Sequence, residues 1–455
     1  MRKRGLRIRK RAEKMSATVN VIGAGLAGCE AAWSLASYGI NVRLFEMKPE
    51  KFSPAHKYGG FAELVCSNSL KAARLESAAG LLKAEMEMLG SLTVPCAKAN
   101  SVEAGGALAV DREKFSDSVT AKIRENPLIE VVSGEVTELP NGIVIIATGP
   151  LTGGAMAEKI KELCGEGLSF YDAAAPIVTY DSLDKEKVFF ASRYDRGDAD
   201  YINCPMEKDE YLAFYRELIS AERVQLKDFE THPFSVYEGC MPIEELASRG
   251  QDTMRFGPMK PVGITDVRTG KRPYAVVQLR RENKEATLFN LVGFQTNLKF
   301  GEQKRVFSMI PGLENAEFMR FGVMHRNTFI NSPELLDCDF SMKSNKNISF
   351  AGQITGVEGY MESAASGIIA GIATARRILG LEQLKLPRET MTGALSAYIS
   401  DSFNSGKFQP MGANMGILPD IGVRIRDKKE KYGVYANRAL NALREELERI
   451  GKNNS

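Results

Sequence analysis

The sequence predicts an α/β protein: a Rossmann-like dinucleotide-binding sheet built from two separated stretches of chain, with an α+β region inserted between them. Three observations carry this. Residues 19–46 read as a strand, a glycine-rich turn, a helix and a second strand ending in an acid. Residues 348–376 read as a strand running into glycines and then a long helix. The chain between them holds strand-like segments, helices and several Pro and Gly breaks rather than one continuous βαβ series.

Residues 19–22 are an apolar strand, and the turn that follows is Gly23, Ala24, Gly25, Leu26, Ala27 and Gly28. Gly23 allows the tight turn, Gly25 lets backbone approach a pyrophosphate, and Gly28 lets helix and strand pack closely. A helix over residues 29–38 follows, closed by Gly39, and its N-terminus attracts phosphate charge. The second strand, residues 42–45, ends at Glu46, placed to hold a ribose hydroxyl. Residues 129–132 and 143–147 are later strands of the same sheet. In the return segment Gly352 follows the strand, then Gln353, Gly356, Gly359 and Tyr360, and a helix runs to about Leu379. The two stretches together read as halves of one FAD site. The residues assigned to the cofactor are the six of the turn with Glu46, Gly352, Gln353, Gly359 and Tyr360. Many FAD enzymes carry an Asp after the strand glycine to bind the ribityl chain. Gln353 makes that contact a neutral hydrogen bond, and residues 366–371 are a small-residue packing face. An S-adenosylmethionine methyltransferase can mimic the first glycine loop but does not need the return segment.

The 455 residues, 44% of them hydrophobic, predict two or three domains. The expected division is a basic extension at 1–14, a first flavin stretch at 15–150, an insertion at 151–345, the return at 346–380 and a helical tail at 381–455. The tail should hold a charged amphipathic helix over 432–450. No apolar run approaches a membrane span. Seven widely scattered cysteines without a C-x-x-C argue against a disulfide framework and a zinc site, so no metal is expected, and a reducing cytoplasm fits them best. Residues 1–14 hold eight Lys or Arg and one Glu, which leaves the rest of a +3 chain at −4. This extension reads as a flexible arm, a transit peptide or an upstream start before Met15, the last being preferred because Met15 leads directly into the first strand. Residues 255–305 hold eleven Lys or Arg against four Asp or Glu. Arg268, Lys271, Arg272, Arg280 and Arg281 lie there among Gly, Pro and Tyr274, the mixture expected where loops follow a phosphate backbone, though a solvated sheet edge gives the same composition.

Two cysteines stand apart. Cys66 follows Phe-Ala-Glu-Leu-Val and precedes cap-forming Ser67, Asn68 and Ser69, with a helix expected from Lys71. Cys240 sits in Tyr-Glu-Gly-Cys-Met-Pro-Ile-Glu, where Pro242 can begin a helix to Ser248. A thiol at a helix N-terminus has its thiolate stabilised by the dipole and free amides.

Residues 21–28, 63–70, 237–244, 324–333 (Met-His-Arg-Asn-Thr-Phe-Ile-Asn-Ser-Pro), 350–362 and 409–414 (Gln-Pro-Met-Gly-Ala-Asn) together resemble the bacterial folate- and FAD-dependent tRNA uracil-5 methyltransferases. The resemblance runs in order from about Thr18 to at least Leu418. It implies 5-methyluridine formation in the tRNA T-loop, with methylenetetrahydrofolate as carbon donor and NADPH or NADH reducing the flavin. By the same resemblance Cys240 is the nucleophile at uracil C6 and Cys66 the second catalytic thiol. His325 and Arg326 are candidates for holding folate, and the basic insertion for cradling RNA. Three alternatives stay open at the level of sequence. One is a related, longer flavoprotein that modifies the wobble uridine. Another is the same chemistry on ribosomal RNA. The third is a small-molecule flavin oxidoreductase, which leaves the cysteine motifs unexplained.

Overall fold

The structure is a computed structural model, and it describes residues 17–53, 56–65, 68–102, 106–165, 168–169, 172–195, 201–224, 241–281, 286–325 and 328–452. They form two units, one from the chain up to residue 170 and from 327 onward, the other from 171 to 326. The second unit is narrower than the expected 151–345. Residues beyond 150 continue the first unit as a helix, Gly154–Cys164, and residues 327–345 already lead into the returning strand.

The first unit opens with β1 (Thr18–Ile22), α1 (Leu26–Ser37) and β2 (Asn41–Glu46). β3 (Ser69–Ala72), α2 (Ala78–Met88), α3 (Thr93–Ala99), α4 (Arg112–Glu125), β4 (Ile129–Ser133) and β5 (Ile143–Ile146) follow. The helix expected from Lys71 is instead the short strand β3, with Lys71 itself at φ 62°. The capping that the sequence offers at residues 67–69 is made eight residues later. Ser77 accepts from the Gly80 N–H at 3.1 Å, and a Cβ at Gly80 would lie 1.8 Å from the Arg74 carbonyl oxygen.

In the second unit β6 (Ile177–Thr179), β7 (Phe189–Phe190), β8 (Tyr201–Met206), β9 (Ala275–Arg281), β10 (Leu288–Leu291) and β11 (Phe318–Arg320) make an antiparallel sheet in the order β7-β8-β9-β10-β6-β11. Helix α5 (Lys208–Ser220) turns Tyr211, Phe214 and Leu218 into a core with Phe289, Phe294 and Phe307. Helix α6 (Ile243–Ser248) begins after Pro242, as the sequence predicts.

The chain returns to the first unit with β12 (Ile348–Phe350), α7 (Tyr360–Leu379), α8 (Met391–Ser400) and α9 (Lys428–Lys452). β12 completes an all-parallel sheet, β12-β5-β1-β2-β4, in which Val21 of the central strand stands opposite Leu44 and Ile145. The buried apolar runs of β1 and β5 follow from a sheet covered on both faces. α7 packs directly on α1: a Cβ at Gly367 would sit 2.1 Å from the Ala27 oxygen, and one at Gly371 would sit 2.8 Å from the Ala31 oxygen. The small-residue face at 366–371 is therefore a packing face that ties the two flavin stretches together. The expected tail is integral to the unit, since α8 is buried and its N-terminus is bound by a carboxylate from α2. Glu85 accepts from the Met391 N–H at 2.7 Å and from the Thr392 N–H and Oγ1 at 2.8 Å, while burial pushes its carboxyl up to about 7. Glu30 of α1 does the same for α3, accepting from the N–H groups of Leu92 and Thr93 at 2.9 Å.

Candidate cofactor-binding site

A cleft opens at the C-terminal ends of β1, β2, β5 and β12, where a parallel sheet of this topology binds its ligand. Both stretches wall it. Gly23, Gly25, Leu26, Ala27 and Glu46 come from the first, Thr148, Gly149 and Pro150 from the exit of β5, and Gly352, Gln353 and Tyr360 from the return.

The glycines divide the work. Gly23 has φ +97°, and a Cβ there would meet the Ala147 oxygen at 2.6 Å. A Cβ at Gly25 would meet nothing within 4 Å, so its backbone faces open space. Gly25 is also the N-cap of α1 and brings no side-chain cap, which leaves the first amides of the helix for an anion. Gly28 does not line the cleft; a Cβ there would lie 1.7 Å from the Gly23 oxygen, so this glycine closes the turn on itself. Ala24 does not line it either, because its N–H donates to Glu46 Oε2 at 2.8 Å. Gly359 is the N-cap of α7 at φ +126°, behind Tyr360. Of the residues expected at the cofactor, Ala24, Gly28 and Gly359 are not among those that line the cleft.

Glu46 is held by two amides, Ala24 N–H and Lys48 N–H at 2.9 Å, which aims its carboxylate at the cleft. Sequence reasoning passed over the next wall. Lys48 is buried and donates to the carbonyls of Tyr58 at 3.1 Å and Gly60 at 2.6 Å and to Glu63 at 3.3 Å. Burial alone would raise the Glu63 carboxyl, but the Lys57 and Tyr58 amides and the Lys48 ammonium outweigh it and hold it low. His56 also lines the cleft, with Nδ1 2.5 Å from Ser53 Oγ, and burial followed by Lys48 lowers its pKa, so it is neutral at neutral pH. The signal was available: Lys48 stands two residues beyond Glu46, and His56 is one of only three histidines.

Cys66, Cys240 and Arg326 lie outside the described residues. The segment leading to Cys66 does reach the cleft, through Glu63 and Val65. Beyond it, Lys71 Nζ binds Glu362 of α7 at 2.7 Å; burial pulls this ammonium down, and Glu362 more than restores it. Glu362 also accepts from the Ala413 N–H at 3.0 Å, and Glu358 N–H donates to the Met411 oxygen at 2.9 Å. Three segments distant in sequence, around residues 63–72, 356–362 and 409–414, therefore meet at the N-terminus of α7. The helix after Cys240 spans six residues with Glu244 and Glu245 in its first turn, so its dipole is small and already opposed. His325 ends a short strand, Val323–His325, in the second unit.

The basic candidates separate by their surroundings. Arg268 is engaged by Asp266, Nη2 to Oδ2 at 2.6 Å and Nε to Oδ1 at 2.9 Å. Arg280 and Arg281 are consecutive residues at the end of β9, so they point to opposite faces of a central strand rather than along one loop. Lys271 and Arg272 are exposed on the loop before β9.

The donor set fits FAD: open backbone at Gly25, uncapped amides at α1, a fixed acid at Glu46 and a neutral amide at Gln353. Among the described residues no group of three or more His, Cys, Asp or Glu could hold a metal ion, and no helix is long and apolar enough to cross a membrane.

Comparison with known proteins gives a consistent result. Residues 18–382 match the family model described as glucose inhibited division protein A. The methylenetetrahydrofolate–tRNA-(uracil-5-)-methyltransferase TrmFO of Acetivibrio thermocellus is 59% identical over 429 residues, 94% of this chain and 98% of that protein. The protein of the same name from Desulfitobacterium hafniense is 58% identical over the same shares. Among solved structures, Aquifex aeolicus GidA is similar at 16% identity and a TM-score of 0.47, over 95% of this chain and 73% of that one. With relatives this similar across almost their whole length, the chain belongs to the TrmFO family within the wider glucose inhibited division protein A family.

Proposed function

We propose that the protein methylates C5 of the T-loop uridine of tRNA, taking its carbon from methylenetetrahydrofolate and using FAD reduced by NADPH or NADH. The observation that carries this reading is the composition of the cleft: both glycine stretches and the approach to Cys66 share one wall. Bound there, FAD would supply the relay of the one-carbon unit and the hydride that completes the methyl group. The rest falls to the chain. Amides of Gly25 to Ala27 hold the pyrophosphate, Glu46 a ribose hydroxyl, Gln353 the ribityl chain, and Tyr360 packs at the flavin end.

Uracil C5 is a weak nucleophile. The Cys240 thiolate adds to C6, the electron pair moves onto the ring, and C5 can then attack an electrophilic carbon. Cys66 takes the C5 proton, the bond between the transferred carbon and its carrier breaks to leave an exocyclic methylene, and hydride addition to that carbon expels the sulfur from C6 and restores the ring. His325 and Arg326 hold folate, and Lys271 and Arg272, exposed and flanking the second-unit sheet, meet the RNA backbone. A tRNA substrate and reactive thiols suit the cytoplasm.

The test is transfer of label from methylenetetrahydrofolate to an unmodified tRNA transcript with FAD and NADPH, comparing wild type with Cys240→Ala. Label at the T-loop uridine with wild type alone is expected. NADPH oxidation without transfer would redirect the assignment to ribosomal RNA or a small acceptor.

A further inference from the structure

The chain before and at the start of α9 carries a run of positive charge. α9 begins with Lys428, Lys429 and Lys431 and approaches its end with Glu445, Glu446 and Glu448. A helix is positive at its N-terminus, so these lysines oppose the dipole there, which Glu430 in the same turn and the Asp427 cap offset in part. Arg424 and Arg426, just before the helix, are exposed as well. Some cations elsewhere on the unit sit on acids, such as Lys51 on Glu135 at 2.7 Å and Lys98 on Glu87 at 2.5 Å. Among the described residues nothing pairs with Arg424, Arg426 or Lys429.

The segment is nevertheless built. Asp427 caps α9, accepting from the Glu430 N–H at 2.7 Å, Arg438 donates to the carbonyls of Pro419 and Asp420, and Asp420 accepts from the Gly422 N–H at 2.8 Å. Gly433, one turn into α9, faces the side chain of Glu76, with 4.0 Å from an added Cβ to Cγ. Glu76 is two residues past exposed Arg74, in the segment that continues from Cys66.

We infer that this surface, Arg424, Arg426, Lys428, Lys429 and Lys431 with Arg74 at its edge, binds the sugar-phosphate backbone of the substrate RNA. The inference rests on the proposed function and adds to it an RNA-binding face on the flavin unit. Five cations within eight residues, held at a capped helix start and adjoining the approach to a catalytic thiol, match a polyanion with closely repeated charge. The test uses the full-length, FAD-loaded enzyme carrying Arg424→Gln, Arg426→Gln and Lys429→Gln together, with binding to an unmodified tRNA transcript read by fluorescence anisotropy across a salt series. The dissociation constant should rise about tenfold, and the slope of log K against log salt should shrink by roughly two. Flavin reduction by NADPH should stay unchanged, and the melting temperature should hold or rise because Lys429 no longer opposes the dipole. Unchanged affinity and slope in the variant, while wild type binds tRNA, overturn the inference alone. Loss of binding to phosphatidylglycerol vesicles with tRNA binding intact also overturns it, giving the patch to a membrane surface. Absence of tRNA binding by wild type removes the proposed function, and the inference with it.

Discussion

Gly25 and Gly28 are three residues apart in one turn, and adding the same methyl group to each should have opposite consequences. An alanine at 25 meets no protein atom within 4 Å, whereas one at 28 is driven into the Gly23 carbonyl oxygen at 1.7 Å. Gly25→Ala is therefore expected to keep the wild-type melting temperature and to weaken FAD binding, because its methyl projects toward the pyrophosphate. Gly28→Ala is expected to lose about 1–3 kcal/mol of stability through overpacking, and to lose FAD as a result. Melting curves of the apoproteins beside flavin titrations separate the two; equal melting temperatures for both variants would refute the division. The sequence made both glycines legible as a fingerprint, but not that one faces the open cleft and the other its own turn. Arg268 shows the same limit. Its charge was plain, and Asp266 two residues earlier was equally plain, yet only the folded loop shows the two joined by paired hydrogen bonds.

Elements in this protein are stapled by buried carboxylates, and that has a pH signature. Glu85 of α2 holds the first turn of α8, and its folded pKa of about 7 lies above the ordinary 4.5 of a glutamate. A folded-state pKa raised in this way means the folded protein binds the proton more tightly. The stability it contributes is complete below pH 4.5 and is lost as pH rises through about 7. The loss amounts to about 3 kcal/mol for one fully buried group. Glu30, also pushed up by burial, acts with the same sign. Denaturant unfolding from pH 5 to 8 should therefore show stability falling with pH, and the difference between wild type and Glu85→Gln should isolate the share of Glu85. A difference that does not vary with pH would assign Glu85 only a packing role. The α1–α7 contact allows a second test. Gly367→Ala places a methyl 2.1 Å from the Ala27 oxygen, so it should pry apart the two flavin stretches, lowering the melting temperature and releasing FAD together. Neither staple was legible in sequence. Glu30 and Glu85 look like ordinary helix glutamates, and their partners lie about 62 and 306 residues away.

At the scale of the molecule, the parallel sheet, its two-stretch origin and the line of the cleft were all readable, because glycine turns and apolar strands leave local marks that do not depend on distant partners. The boundaries of the insertion were not, since helix 154–164 and residues 327–345 belong to the first unit through packing that no local pattern announces. The basic segment of the second unit was readable as charge and unreadable as geometry. Of its five candidates Arg268, Lys271 and Arg272 stand exposed on a loop, but Arg268 is committed to Asp266, and Arg280 and Arg281 end a central strand. This separation makes a prediction with a sign for each group. Lys271→Glu with Arg272→Glu should weaken tRNA binding at every sequence tested and reduce the salt slope by roughly two, because two phosphate contacts and their counterion release are lost. Arg268→Ala should leave that slope unchanged and instead lower the melting temperature, because Asp266 is left buried without its partner. A salt slope that responds to Arg268→Ala but not to the Lys271 and Arg272 reversal would move the RNA contact to the side of the loop where Asp266 lies.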